Sequence, residues 1–140
     1  MTPQKLTISS PENGDCLRAC VASLLDLPIE QVPNFMDNGK GDDGRWFSDP
    51  ENGMNAFLWR NGYEYKGYRH PEEAISLCTG VDGYYIGTVN SVNFRGCTHA
   101  VIFHGLKLAF DPSLRKQWKG TGKNALCYYM IQQRSIEATP

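Results

Sequence analysis

The chain has no apolar run approaching the roughly 20 residues that a membrane-spanning helix needs, and its opening stretch, MTPQKLTISSPENG, lacks the apolar core of a secretory signal. No lysine- or arginine-rich block occurs and the formal net charge is only −1, so the electrostatic footprint of a nucleic-acid or anionic-lipid binder is missing. Internal repeats, low-complexity tracts and a Pro/Gly/Ser linker are absent too. The five cysteines are odd in number, which excludes a fully paired disulfide framework and makes reduced thiols the expectation. These absences predict a cytoplasmic protein of one domain over residues 1–140, with no membrane or nucleic-acid partner.

What is present is patterned. Asp15 stands where a helix N-cap belongs, ahead of a helix from Cys16 to about Leu25 with Leu17, Val21, Leu24 and Leu25 on its apolar face. Leu27-Pro28 ends that helix, and PIEQVPNF reads as a short second turn. Residues 34–50 are rich in Gly, Asp and Asn and read as a surface loop. PENGMNAFLWRNG reads as a helix with Met54, Phe57 and Leu58 inward and Gly62 at its end, YEYKGY as a strand, and HPEEAISLCTG as a short helix. The period then changes. GYYIGTVN, CTHAVIFHG, LKLAFDP and ALCYYMIQQ are short aromatic and β-branched runs between turn residues. Helices first and strands afterwards predict an α+β fold, with an N-terminal helix bearing the cysteine packed on a C-terminal antiparallel β-sheet.

Cys16 opens its helix, where unpaired backbone N–H groups and the helix dipole favour negative charge, and thiolate is the reactive form of cysteine. A base must complete the chemistry, and the chain offers His70, His99 and His104. CTHAVIFHGLKLAFDP selects among them, because it reads as a hairpin. A three-residue turn at His104-Gly105-Leu106 would pair Phe103 with Lys107 and set His99 opposite Asp111. An even-length loop would send Asp111 to the other face. Cysteine, histidine and acid in that arrangement are nucleophile, base and orienter.

The same residues carry a resemblance. DCLRACVASLL followed by HAVIF and FDP resembles the papain-like cysteine peptidase superfamily, nearest its bacterial leader-peptide peptidases. The stretch from Gly14 to Phe35 is also similar to small phage and bacterial proteins carrying GNC-x-x-AC-x-ASLL-x-LP. The resemblance implies a papain-like fold, hydrolysis of a peptide or isopeptide bond through a thioester on Cys16, a peptide or protein substrate, and no cofactor. It departs at Leu17, where the peptidases usually have glycine, and at Ser10, where they place an oxyanion-stabilising glutamine. Gln4 and Asn13 are the remaining amide candidates for that task. Trp46 and Asp15 are candidates for a substrate groove, with the loop at 36–50 as its lid.

Simpler readings stand beside this one. Cys16 as a buried core thiol is the commonest fate of a free cysteine; Cys20, Cys78 and Cys127 read that way. Cys16, Cys20, Cys97 and His99 are an alternative zinc set, though C-x3-C is not a usual knuckle spacing. A non-catalytic module that grips a protein or small signalling molecule, and a deamidase or acyltransferase using the same triad, are the alternatives in function.

Overall fold

The computed structural model describes residues 1–7, 15–35, 50–69 and 83–134. Among them, helix α1 spans Cys16–Leu24 and is followed by a 3-10 turn at Ile29–Gln31. Helix α2 spans Pro50–Arg60, and strands β1 (Tyr63–Tyr68), β2 (Tyr84–Asn90), β3 (Thr98–His104), β4 (Lys107–Phe110) and β5 (Cys127–Gln133) form one antiparallel sheet of order β1-β5-β2-β3-β4. This is a small α+β architecture. None of its described helices is long and apolar enough to cross a membrane. The expected helix at HPEEAISLCTG and most of the expected loop at 34–50 lie outside the described residues, as do His70 and Cys78.

The sheet is covered on both faces, and side-chain alternation sorts its residues between them. Ile86, Ala100, Ile102 and Ile131 face α1 and α2, joining Val21, Leu24, Met54, Phe57 and Leu58 in one core cluster. Tyr85, Val89, Val101, Phe103, Tyr128 and Met130 form a second cluster, closed over by Trp118. That is why THAVIFH carries an unbroken apolar run: β3 buries His99 through Phe103 without a gap.

Helix α1 is buried more evenly than a single apolar stripe predicts. Ala19, Cys20, Val21, Ala22, Ser23 and Leu24 are all buried, whereas Leu17 and Leu25 are only partly so. The N-terminal segment accounts for the difference, since it lies along the helix and covers the side expected to face solvent. Thr2 N–H donates to the Ser23 carbonyl at 2.9 Å, and Gln4 N–H to Ser23 Oγ at 2.8 Å. Small residues at positions 19, 22 and 23 allow that close approach.

The β3–β4 hairpin corrects the expected turn. His104 pairs with Lys107, so the loop has two residues, Gly105 and Leu106, with Gly105 at a φ of +62°. A glycine with positive φ at the first central position is the requirement of a type II′ turn. Taken alone, that even loop would put Asp111 on the wrong face. The register then shifts, because Phe103 pairs with Leu108 but Ile102 pairs with Phe110, leaving Ala109 as an extra residue. Such a bulge reverses parity. Carried past the end of β4, the shifted register sets Asp111 level with Val101 and Ser113 level with His99.

Candidate active site

Strand β4 stops pairing at Phe110, and the consequence falls on Ala100. In an antiparallel ladder, alternate N–H groups point to the same neighbour, so those of His104, Ile102 and Ala100 all point toward β4. At Ala100 the neighbour has gone. Its N–H is taken instead by Cys16 Sγ, which accepts at 3.4 Å. The first residue of α1 thus takes the place of a ladder acceptor at the sheet edge, with its sulfur on the Ala100 N–H.

His99 sits one residue before, 8% exposed. Its Nε2 is 2.6 Å from Asp111 Oδ1 and 2.9 Å from Ser113 Oγ. With Nε2 so engaged, Nδ1 is the ring nitrogen left for the Cys16 thiol. Burial by itself pulls the His99 pKa down, but the bond to Asp111, the bond to Cys16 and the charges of both override it and raise it to about 9. Burial likewise pushes Asp111 up, and His99 with the donors around it pulls its pKa down to about 2. Those donors are Trp118 N–H at 2.7 Å on Oδ2 and Ser113 N–H at 2.9 Å on Oδ1. An ionised carboxylate beside a protonated imidazole is the resting state this geometry favours.

The loop that carries Asp111 is fastened from outside. Lys5 Nζ donates to the carbonyls of Asp111, at 3.3 Å, and Ser113, at 3.0 Å. Gln117 Nε2 also donates to the Ser113 carbonyl, at 3.0 Å. Gln117 further lines a surface cavity of about 480 Å³ together with Val92, Lys116 and Lys119. Asn93 locks its two rims together, accepting from Lys116 N–H at 3.0 Å and donating to the Lys116 carbonyl at 2.9 Å.

The structure brings Cys16, His99 and Asp111 together and places the other candidates elsewhere. Asp15 is at the helix start but makes no side-chain cap and has no exposed surface. Its carboxylate accepts from Thr7 N–H at 2.8 Å and Thr7 Oγ1 at 2.5 Å, and from Arg18 at 3.4 Å. It therefore ties the N-terminal segment to α1 and lines no groove. Gln4 lies against Ser23 near the far end of α1. Seven residues of helix, about 10 Å at 1.5 Å per residue, separate that position from Cys16, which is beyond the reach of an oxyanion donor. Asn13 and Trp46 fall outside the described residues. Cys20 is fully buried in the core, its pKa raised by burial and by the nearby charges of Cys16 and Asp111. The alternative zinc set is not assembled: among the described residues no three His, Cys, Asp or Glu side chains could hold a metal ion.

Sequence reasoning missed Ser113, the Trp118 amide and the Ala100 amide. A signal existed for the first. Asp-Pro-Ser favours an Asx-type turn, in which the aspartate accepts the N–H two residues on, and Ser113 N–H makes that bond. The Ala100 donor has no sequence signature, because it depends on where β4 stops. Compared with known proteins, the chain matches no family model, no curated protein and no solved structure.

Proposed function

We propose that this chain is a papain-like, cysteine-dependent hydrolase of a peptide or isopeptide bond. The observation that carries the reading is the buried pairing of the His99 ring with the Asp111 carboxylate next to Cys16, whose sulfur stands at a helix N-terminus and accepts from the Ala100 N–H adjoining His99. Cys16 attacks as thiolate, forming a C–S bond to the acyl carbon while the carbonyl electrons move onto oxygen. The N–H of Cys16, which as a first-turn donor has no partner within α1, is the donor at hand for that oxyanion. His99 gives its Nδ1 proton to the leaving nitrogen as the C–N bond breaks, leaving a thioester. It then takes a proton from water, whose hydroxide attacks the thioester and releases the thiolate and the carboxylic acid, which gives its proton to solvent. Asp111 does not touch the substrate. It holds the proton on Nε2, so that Nδ1 is the working nitrogen. Deamidation and acyl transfer proceed through the same thioester and differ in the leaving group or the acceptor.

Iodoacetamide labelling near neutral pH tests this without knowledge of the substrate. Cys16 should be modified much faster in the native protein than in His99→Ala, and a mass-resolved screen of peptide libraries should show cleavage that Cys16→Ala abolishes. Equal labelling of Cys16 with and without His99 would remove the base from the scheme and sink the proposal.

A further inference from the structure

We propose that Ser113 is a second positioning residue for His99, holding the ring at Nε2 together with Asp111. This rests on the reading of Cys16 and His99 as nucleophile and base. The nitrogen carries one proton, and two acceptors lie within reach of it, Asp111 Oδ1 at 2.6 Å and Ser113 Oγ at 2.9 Å. His99 Nε2–H is thus shared between the Asp111 carboxylate and the Ser113 hydroxyl, and the Ser113 N–H, which donates to the same Asp111 Oδ1 at 2.9 Å, ties the two acceptors to each other.

The hydroxyl is held in place beforehand. Ser113 is 3% exposed, its N–H is bound by Asp111, and its carbonyl accepts from both Lys5 and Gln117. The bulge in the hairpin is what sets it level with His99. A serine that merely turned the chain after Asp-Pro would need its backbone N–H there, but not its Oγ on the imidazole. The arrangement fixes the tautomer of His99 twice. When Asp111 loses its charge, the hydroxyl still accepts Nε2–H, so the ring keeps its orientation.

The test is a double-mutant cycle over wild type, Ser113→Ala, Asp111→Asn and the double variant. The first readout is the rate of Cys16 alkylation by iodoacetamide at pH 7, followed on the Cys16-bearing peptide. The second is the tautomer of the neutral His99 ring, read from its nitrogen shifts above pH 9, where the ring has lost its second proton. A single hydrogen bond of this kind is worth about fivefold, so Ser113→Ala should slow alkylation by roughly that factor. The double variant should lose more than the product of the two single losses, and only there should the His99 tautomer become mixed. Ser113→Thr, which keeps a hydroxyl, should restore both readouts. Single losses that simply multiply, with an unchanged tautomer in the double variant, would overturn the proposal. So would a Ser113→Ala protein indistinguishable from wild type in both backgrounds. Ser113→Gly keeps the N–H bond to Asp111 and supplies the same comparison if the alanine variant does not fold. Failure of the underlying reading is separable: there, His99→Ala would leave Cys16 alkylation unchanged, while the tautomer measurement would still report on Ser113.

Discussion

Removing the Asp111 carboxylate should destabilise the fold by an amount the structure specifies. Asp111 is 2% exposed and accepts from Trp118 N–H, Ser113 N–H and His99 Nε2 at 2.7, 2.9 and 2.6 Å. Asp111→Ala strands the two backbone donors in a buried site and leaves His99 Nε2–H with Ser113 Oγ alone. Each unsatisfied buried donor costs about 1–3 kcal/mol. A water entering the space left by the carboxylate recovers part of that, so the expected loss is about 3–5 kcal/mol. That is a large share of the ~5–15 kcal/mol stability of an ordinary domain. Asp111→Asn keeps the shape and one acceptor oxygen but turns an amide N–H₂ toward a donor, and should cost about 1–2 kcal/mol. The order is therefore wild type, then Asn, then Ala. Urea unfolding at pH 7, followed by tryptophan fluorescence, measures it, with Trp118 buried beside the site as reporter. In both variants the His99 pKa should fall, because burial then acts without the countercharge. An alanine variant within about 0.5 kcal/mol of wild type, or an asparagine variant below alanine, would refute the account of Asp111 as the hub of this loop.

The pH dependence of stability follows from the same pair. His99 is raised from 6.5 to about 9, so its contribution is complete below pH 6.5 and is lost as pH rises through about 9; Asp111 is lowered from 3.8 to about 2, so its contribution is complete above pH 3.8 and is lost as pH falls through about 2. A flat optimum between about pH 4 and 6.5 with an alkaline decline is expected, and a decline already complete by pH 7 would contradict it. If the chain is a hydrolase, the alkaline limb of its rate profile should lie near pH 9 as His99 loses its proton. Native labelling with a small alkylating reagent should modify Cys16 and spare Cys20, which has no exposed surface; Cys20 labelled at a comparable rate would contradict its place in the core. Gly87→Ala should cost about 1–3 kcal/mol through overpacking, because the added Cβ would overlap the ring of Phe103, itself fully buried and stacked on Tyr85. A thermal midpoint unchanged by that substitution would show that the ring can give way.

The candidate site was legible where it is local in sequence. His99 and Asp111 lie on one hairpin, so strand alternation and turn length are enough to ask whether they share a face. The answer from turn length alone was fragile. The loop has two residues rather than three, and the parity was restored by a bulge at Ala109 that no residue type announces. Asp15 shows the opposite limit. Its position before the helix suits a cap, but Thr7, brought alongside by the fold, takes the carboxylate instead. Gln4 was a candidate because a flexible link can reach back in principle; its backbone N–H, bound to Ser23 Oγ, puts the residue at the wrong end of the helix.

Among the described residues, the helices and strands and their order were readable from the sequence, since hydrophobic period, Asp, Gly and Pro punctuation and β-branched runs act over a few residues. The sequence also named Cys16, His99 and Asp111. Only the tertiary structure decided how they meet. The end of β4 frees the Ala100 N–H for the sulfur, the bulge brings Ser113 level with His99, and the N-terminal segment fastens the loop through Lys5. Each of these depends on where distant stretches of backbone stop or pass one another, and the free energy that fixes such points comes from packing and paired buried polar groups rather than from any short run of residues.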